Sequence, residues 1–333
     1  MNKSEFELIG RIAGQFRTPD GVTGIGDDCA IIPQSSGKDT LVTTDMLVEG
    51  SHFLLEDISA RELGWKSAAV NLSDIAAMGG KPTGAFLSLA LPKSISDEWM
   101  DDFVAGFKDI CERCDTPLLG GDTTASPDRL CINVGVIGEC PAGTARTRAA
   151  ACVGDLVCVT GTLGDSAAGL RLILHRAGAP DRESDQKYLI RRHYLPTPRV
   201  SEGMKLAGCS GVHAMMDISD GIASDLRHIL KASGVGAEID LQALPLSTEL
   251  LRVCDKEGWD ATALAVEGGE DYELLFTMAP GTEPPVPCTV IGRIVSGVKS
   301  PGTDGEAPAS GPAQGDIHWI GGQKIDYQGF KHF

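Results

Sequence analysis

The chain has 333 residues, of which 42% are hydrophobic and 5% aromatic, and its formal net charge at pH 7 is −17. This length predicts two domains, and the hydrophobic content is enough for buried cores. The acidic balance argues against unaided nucleic-acid binding, which needs a basic surface. We therefore expect a two-domain protein that binds no nucleic acid.

The N-terminal segment and the cysteines indicate a cytoplasmic protein. Residues 1–16 lack the continuous apolar stretch of a signal peptide, and their apolar residues fit one face of a helix. The sequence contains no run of 18 apolar residues, so we expect no membrane span. The ten cysteines stand mostly in apolar surroundings, and the CxxC at Cys111 and Cys114 lacks the second pair that a zinc site needs. Reduced thiols are typical of the cytoplasm.

Predicted strands and helices alternate through the first half of the chain. After a first helix, apolar runs predict strands at residues 29–33 and 39–47. Ser59 and Glu62 form the capping-box pattern that begins a helix, and Gly79 ends it. Further elements follow in order: a strand at 83–91, a helix at 96–114, a short apolar piece at 117–121 and a strand at 130–139.

The composition changes near residue 149, where we place a boundary between two domains, residues 1–149 and residues 150–333, the second of the α/β type. The second half is predicted to contain strands at 155–161, 212–219, 236–241 and 271–278, and helices at 165–178, 184–193 and 221–233. Residues 296–316 are rich in Gly, Pro and Ser and predict a mobile loop. The alternation indicates the α/β (α+β) class.

Acidic residues follow apolar runs at six places in the chain. They are Asp27 with Asp28, Asp45, Asp74, Asp122, the Asp217/Asp220 pair, and Glu270 with Asp271. A single instance is usually a turn or an N-cap, but six suggest loops that converge at one end of a sheet. Two carboxylates about 4 Å apart repel by roughly 4 kcal/mol at an effective dielectric near 20, so convergence requires cations. Oxygen ligands without a His/Cys cluster favour magnesium over zinc.

Glycine turns beside these loops provide backbone amides that can bind phosphate. They are Gly120-Gly121, Gly161 with Gly164, and Gly268-Gly269. Carboxylate-bound magnesium together with phosphate-binding amides is typical of phosphoryl transfer. The sequence contains no GxxxxGK[ST] motif, so a less common ATP-binding fold is expected.

The motifs, in chain order, resemble the thiamine-monophosphate kinase family of the aminoimidazole ribonucleotide synthetase-like superfamily. They are GIGDDCA, TTDMLVEGSHF, AVNLSDIAAMGGKP, GGDTT, VTGTLGDSAAGL, PTPR, DISDGIASDL and GGEDYEL. The resemblance covers nearly the whole chain, and VEGSHF and GGEDYEL point to the thiamine-phosphate branch. It implies transfer of phosphate from ATP to thiamine phosphate. It also implies that residues 1–149 form the domain that binds ATP and metal and dimerises, and that residues 150–333 complete the active site. The N-terminal sheets of the implied homodimer pair, with ATP straddling the interface.

The resemblance also implies roles for individual residues. Magnesium ligands are implied at Asp28, Thr43, Thr44, Asp45, Asp74, Asp122, Asp217 and Asp220. ATP contacts are implied from Gly121, Asp122, Arg148 and Ser219, and thiamine phosphate contacts from His52, Glu270 and Phe330. Asp225, one turn further along its helix, is expected to be structural. His52 as an ordinary surface histidine and Phe330 as a plain C-terminal anchor remain alternatives.

The chemistry of this reaction fits the residues. A phosphate monoester has a second pKa of about 6, so the acceptor is ionised near neutral pH and needs no strong base. Metal-assisted transfer without a catalytic side chain is therefore expected. Two alternatives remain open: another ATP-dependent enzyme of the superfamily with a different substrate, and a non-catalytic magnesium–nucleotide binding protein.

Overall fold

A computed structural model of the chain describes residues 21, 28, 30–33, 37–175, 183–297, 313–322 and 327. The predicted first helix, Phe330 and most of the predicted loop at 296–316 lie outside the described residues. Within the described ranges, every helix is too short or too polar to cross a bilayer.

The first half of the chain folds into a five-stranded sheet with helices on one face. Its elements are β1 (Ala30–Pro33), β2 (Lys38–Val48), α1 (Ala60–Ala77), β3 (Lys81–Leu91), α2 (Asp97–Arg113), β4 (Leu118–Ala125) and β5 (Cys131–Pro141). The strand order is β1-β2-β5-β3-β4, with β3 and β4 parallel and the other pairs antiparallel. The strands and helices predicted between residues 29 and 139 are confirmed.

Helix α1 lies at the centre of the molecule. Ser59 accepts a hydrogen bond from the Glu62 amide while the Glu62 side chain accepts from Ser59, so the predicted capping box is confirmed. Gly64 lets α2 approach, since a Cβ there would lie 1.9 Å from the Phe103 carbonyl oxygen. On another side, a Cβ at Gly203 would lie 2.1 Å from the oxygen of residue 76. The helix is therefore clamped between the two halves of the chain.

The second half contains a six-stranded sheet with helices around it. Its helices are α3 (Asp165–Leu174), α4 (Ser184–Tyr194), α5 (Val200–Ala207), α6 (Ile222–Ser233), α7 (Thr248–Glu257) and α8 (Ala261–Glu267). Its strands are β6 (Leu156–Val159), β7 (Val212–Asp217), β8 (Gly236–Asp240), β9 (Leu274–Met278), β10 (Thr289–Val295) and β11 (Ile317–Ile320). The order is β11-β8-β10-β6-β9-β7, with only β11–β8 parallel among the described pairs. The expected α/β (α+β) class with two domains is confirmed.

Two parts of this half differ from the sequence prediction. The strand predicted at 271–278 begins only at Leu274, because Glu270 and Tyr272 have positive φ angles of 62° and 50° that a strand does not allow. The elements α5, α7, α8, β10 and β11 were not predicted; each is only 4 to 10 residues long, which leaves little length over which a period can be recognised.

The first sheet packs against helices on one face only. Along β2 the side chains alternate, so that Leu41, Thr43 and Leu47 are buried on the α1 side. On the opposite face Val42, Met46 and Phe86 are exposed by 37%, 57% and 38%. The edge strand β4 is exposed at all of its residues. This open face and edge are a surface that the described residues do not cover.

Candidate active site

Three aspartates from separate parts of the fold meet at the boundary between the two sheets. Asp28 precedes β1, Asp74 lies on the last turns of α1, and Asp217 is the last residue of β7. One carboxylate oxygen from each lies within 4.8 Å of the others. The predicted convergence of acidic loops is therefore observed for these three, and both halves of the chain contribute.

Neighbouring side chains hold these carboxylates in place. The Thr43 hydroxyl on β2 donates to Asp74 Oδ2, and Arg148 forms an ion pair with Asp28. The backbone of the Arg148 segment is itself fixed, since its carbonyl oxygen accepts from Ser233 Oγ at 2.9 Å. The ordered partners keep the oxygen atoms of the cluster facing one another.

The cluster carries negative charge that the protein itself only partly compensates. Burial, followed by the repulsion of Asp28, raises the pKa of Asp45 to about 6 and that of Asp217 to about 7. Burial and then the charges of Asp45 and Asp217 raise the pKa of Asp74 well above its ordinary value. For Asp28, burial raises the pKa despite the opposing effect of Arg148. A bound cation would favour the ionised forms.

The donor set fits magnesium. Asp28 Oδ2 is buried and has no hydrogen-bond partner within the described part of the chain. Carboxylate and hydroxyl oxygens are the ligands that magnesium prefers, and the ion usually keeps positions for water and phosphate. Asp28, Asp74 and Asp217 could thus hold magnesium between the two halves.

The loop after β7 is shaped by Asp225. The amides of Ser219 and Asp220 both donate to Asp225 Oδ2 at 3.1 Å. Asp225 is buried at the start of α6, so its structural role is confirmed. The loop brings Ser219 and Asp220 next to Asp217 at the edge of the cluster.

The side chains of Thr43 and Thr44 project to opposite faces of the first sheet. Thr43 contacts Asp74 on the α1 face, whereas Thr44 Oγ1 accepts from Asn133 Nδ2 at 2.9 Å on the other face. Asp45 returns to the α1 face, and its amide donates to Asn71 Oδ1 at 2.9 Å. Thr43 and Asp45 are thus placed toward the cluster, and the Thr44 side chain is directed away from it.

Asp122 and Gly121 lie on the exposed edge strand β4. Asp122 pairs with Ser88 of β3, which pairs with Asn133 of β5, which pairs with Met46 of β2. Three strand spacings separate Asp122 from β2, which is about 14 Å. Within one protomer the structure therefore does not bring Asp122 to the Asp74 cluster, and its role as a metal ligand stays a prediction.

A second part of the site contains His52 and Glu270. His52 Nδ1 accepts from the Val48 amide at 3.0 Å, which fixes the ring after β2. Glu270 accepts from Lys66 Nζ at 3.0 Å and lies 3.2 Å from His193 Nδ1. Burial would raise the pKa of Glu270, but Lys66, His193 and His52 hold it below its ordinary value. His52 and Glu270, predicted as substrate residues, therefore face a common region, while Phe330 lies outside the described residues.

Tyr272 connects the two parts of the site and was not predicted. It is buried, and burial raises the pKa of its hydroxyl well above 10, followed by the charges of Glu270, Asp45 and Asp217. The phenol is therefore neutral and lies in the field of both carboxylate groups. Its place within the GGEDYEL motif was the available signal, as was the position of Lys66 ahead of NLSD.

The other acids of the GGEDYEL segment have structural partners. Asp271 Oδ2 accepts from the Gly164 amide at 2.7 Å, and Asp271 Oδ1 accepts from the Ser166 amide at 3.2 Å. Glu273 accepts from Arg199 Nε at 2.7 Å and from Arg192 at 3.0 Å. The Gly164 amide thus donates to Asp271, so the prediction that it binds phosphate is wrong for this amide.

A further group of potential metal ligands lies away from the cluster. Atoms of Cys152, Asp155 and His213 lie within 4.8 Å of one another. Asp155 Oδ2 accepts from the Cys152 amide at 2.8 Å and lies 2.8 Å from His213 Nδ1. Hydrogen bonds within the protein account for this arrangement.

Comparison with known proteins identifies the class. Residues 26–140 match the family model described as AIR synthase related protein, N-terminal domain, and residues 153–300 match its C-terminal counterpart. The two sheets and the shared carboxylate cluster thus belong to a protein of the AIR synthase related class. The thiamine-monophosphate kinase of Salmonella typhimurium is 45% identical over 278 residues, which are 82% of each chain. The chain belongs to the thiamine-monophosphate kinase family.

A more distant relative and two solved structures support the same family assignment. The thiamine-monophosphate kinase of Aquifex aeolicus is 37% identical over 310 residues, 93% of this chain and 92% of the relative. A solved structure described as "AaThiL complexed with AMPPCP and TMP" has a TM-score of 0.86 and 36% identity, and covers 99% of this chain and 97% of that chain. The thiamine-monophosphate kinase structure from Stenotrophomonas maltophilia K279a has a TM-score of 0.75 and 37% identity, with 95% and 96% covered. The resemblance drawn from the motifs is confirmed.

Proposed function

We propose that this protein transfers the terminal phosphoryl group of ATP to thiamine phosphate, which gives thiamine diphosphate and ADP. The observation that carries the proposal is that the site has two parts connected by Tyr272. One part is the carboxylate cluster at Asp28, Asp74 and Asp217. The other part contains His52 and Glu270. The relatives named thiamine-monophosphate kinase and the solved relative with AMPPCP and TMP support this assignment of substrates.

The transfer is a direct displacement in which this chain's residues position two anions. An oxygen of the acceptor phosphate attacks the terminal phosphorus of ATP, the bond to the bridging oxygen breaks, and ADP leaves. The acceptor is already ionised near neutral pH, so no side chain has to remove a proton. Arg148, which lies against Asp28, supplies positive charge at the nucleotide side. Magnesium, when bound, would neutralise charge on the phosphates.

The residues that hold magnesium and ATP are proposed from the geometry and the family motifs. Asp28, Asp45, Asp74, Asp217 and Asp220 are proposed as magnesium ligands, together with Thr43. Ser219 and Arg148 are proposed to contact ATP. At a site completed by a second protomer, we propose Thr44 and Asp122 as magnesium ligands. Gly121 and Asp122 are proposed to contact ATP there.

A homodimer is proposed because the first sheet presents an open face and an open edge. Met46 and Phe86 are exposed on that face, and Leu119 on β4 is exposed by 58%. Pairing two such sheets would cover unpaired strand edges. Light scattering should give a dimer for the wild type and a monomer for a Met46→Lys, Phe86→Lys variant. Leu174→Lys, a charge at an exposed position on α3, should remain dimeric; a monomeric wild type would contradict the proposal.

The domain boundary and the compartment are also proposed. We divide the chain at residues 149 and 150, which lie between the two matched family models. A cytoplasmic location is supported by free thiols, since all nine cysteines within the described residues are unpaired.

The proposed function is tested by a turnover assay with thiamine phosphate, MgATP and detection of thiamine diphosphate. Formation of ADP and thiamine diphosphate in equal amounts is expected. Aminoimidazole ribonucleotide precursors and selenide serve as alternative acceptors for other superfamily activities. Tight ATP binding without turnover of any acceptor would favour the non-catalytic alternative.

A further inference from the structure

Lys66 is a fully buried lysine on α1, and its partner is a carboxylate of the site. Its side chain is 1% exposed, and Nζ donates to Glu270 Oε2 at 3.0 Å. On another side Nζ lies 3.3 Å from His193 Nε2. A buried ammonium requires a paired charge, and Glu270 provides it. Lys66 comes from the first half of the chain, whereas His193 and Glu270 come from the second.

The hydrogen-bond directions follow from the donors. An ammonium group has no acceptor atom, so His193 Nε2 must accept from Lys66. Burial and then Lys66 lower the pKa of His193 to about 3, so the ring is neutral and carries its proton on Nδ1. Nδ1 lies 3.0 Å from Ser166 Oγ and 3.2 Å from Glu270 Oε2. Glu270 Oε2 therefore faces two nitrogen donors.

This arrangement leaves the second oxygen of Glu270 for a ligand. Among the described residues, both nitrogen contacts fall on Oε2, and the Glu270 side chain remains 29% exposed. The backbone at Glu270 is held in a rare conformation with φ 62°, and its amide donates to the Ser219 carbonyl at 2.7 Å. The carboxylate is thus fixed both through its backbone and through one oxygen.

Helix α1 sets the spacing between this carboxylate and the metal cluster. Lys66 and Asp74 are eight residues apart on the helix, a rise of about 12 Å. Helix α1 therefore holds the carboxylate cluster, which suits metal-bound phosphates, at one end. At its other end, through Lys66, it holds the Glu270 carboxylate. A phosphate ester whose organic part is cationic matches that separation of charge. A neutral ribonucleotide base offers Glu270 no positive charge.

We propose that Lys66 is a positioning and specificity-determining residue that, together with His193, keeps Glu270 charged and directs its free oxygen to the cationic heteroaromatic part of the acceptor. The inference rests on the proposed function and deepens it. Recognition of the acceptor then depends on the contact between the two halves of the chain, because Lys66 and Glu270 belong to different halves.

The test compares Lys66→Met, Glu270→Gln and the double variant with wild type, varying thiamine phosphate and ATP in turn. Lys66→Met is expected to raise the KM for thiamine phosphate at least about tenfold. A factor of this size corresponds to the free energy that a hydrogen bond to a charged group usually contributes. The KM for ATP should change less than about twofold, because Lys66 does not contact the carboxylate cluster. Lys81→Met is the matched control, since Lys81 donates to Asp115 at the same 3.0 Å but in solvent.

The pH profile gives a readout that a purely structural role would not change. Among the described residues, the charged or titratable groups with the main electrostatic effects at Glu270 are Lys66, His193, His52 and Tyr272. Without Lys66, burial raises the pKa of Glu270, so the KM of Lys66→Met should fall as pH rises through that new pKa. The ratio of this KM to the wild-type KM should fall with it, because Glu270 is already ionised in the wild type and titration of the acceptor phosphate affects both proteins alike.

Melting temperatures separate positioning from packing. Lys66→Met removes the ammonium partner of a largely buried carboxylate and should lower Tm, whereas the double variant removes both charges and should restore it. The KM for thiamine phosphate should stay high in the double variant. Recovery of both Tm and KM there, or an unchanged KM in Lys66→Met, would overturn the proposal. If Lys66→Met does not fold, an unchanged KM in Glu270→Gln overturns it. Absence of wild-type turnover would instead refute the proposed function.

Discussion

Ser73 Oγ on α1 donates a hydrogen bond to Asp217 Oδ2 on β7 at 2.5 Å. Both residues are buried, and they are 144 positions apart in the chain. This contact joins the helix of the first half to the strand of the second half directly at the carboxylate cluster. It also opposes the burial that raises the pKa of Asp217, so it favours the ionised form that a cation needs.

Replacing Ser73 by Ala should therefore weaken magnesium activation. The loss of a hydrogen bond to a charged group is worth about 1.5–3 kcal/mol, so the magnesium concentration for half-maximal rate should rise at least about tenfold. Ser67→Ala is the control, since its buried hydroxyl donates to the Leu63 carbonyl within the same helix at 2.6 Å. Equal effects of both substitutions on magnesium dependence would contradict a specific role for Ser73.

Replacing Asp74 or Asp220 by Asn should each reduce turnover at least about tenfold, which corresponds to 1.4 kcal/mol of barrier. Each substitution removes a carboxylate from the proposed magnesium site while keeping the side-chain size. Asp109 on α2 forms an exposed ion pair with Arg61 on α1, and Asp109→Asn should leave turnover unchanged. Initial rates at limiting magnesium provide the measurement. Wild-type rates for both site variants would refute the metal assignment.

Stability without magnesium should fall as pH rises from about 5 to 8. Asp45 and Asp217 have folded-state pKa values of about 6 and about 7, above the ordinary value near 4 in the unfolded chain. At pH values between the unfolded-state and folded-state pKa, the folded state binds more protons than the unfolded state. The stabilisation from these two groups is therefore full at low pH and is lost as the pH rises through 6 and 7.

Magnesium should reverse that loss, because it binds the ionised carboxylates. Thermal melts at pH 5.5 and pH 8, each with and without magnesium, measure the effect. The magnesium-dependent rise in Tm should be larger at pH 8 by at least about 3 °C, since 1 kcal/mol shifts Tm by roughly 2–4 °C in domains of 150–250 residues. Asp217→Asn should reduce this difference. A magnesium-dependent rise in Tm that is the same at both pH values would show that these carboxylates do not bind the ion.

The reaction should invert the configuration at a chiral terminal phosphate of ATP. The acceptor phosphate is already nucleophilic, so a single in-line displacement is expected. Stereochemical analysis of the product diphosphate gives the result. Retention of configuration, or a protein-bound phosphate that proceeds to product, would establish a two-step route.

Much of the local structure was predictable because it depends on neighbouring residues. The Ser59–Glu62 capping box, the helix from Ala60 to Ala77 and the alternating strand β2 all follow from patterns within about one or two turns. Short elements such as α8 (Ala261–Glu267) were missed, because seven residues give too weak a period. The acidic residues were recognised as candidate ligands, since an acid after an apolar run recurs along the chain.

The sequence by itself determined the residue types of the site, the order of its motifs and the family to which they belong. Only the tertiary structure decided which acids meet. It brought Asp28, Asp74 and Asp217 together and left Asp122 on a distant edge strand. It also placed Asp271 where its carboxylate accepts the hydrogen bond of the Gly164 amide. It also paired Lys66 with Glu270 across 204 residues. Side-chain direction and strand register are fixed by packing between distant segments, and no local pattern in the chain encodes those contacts.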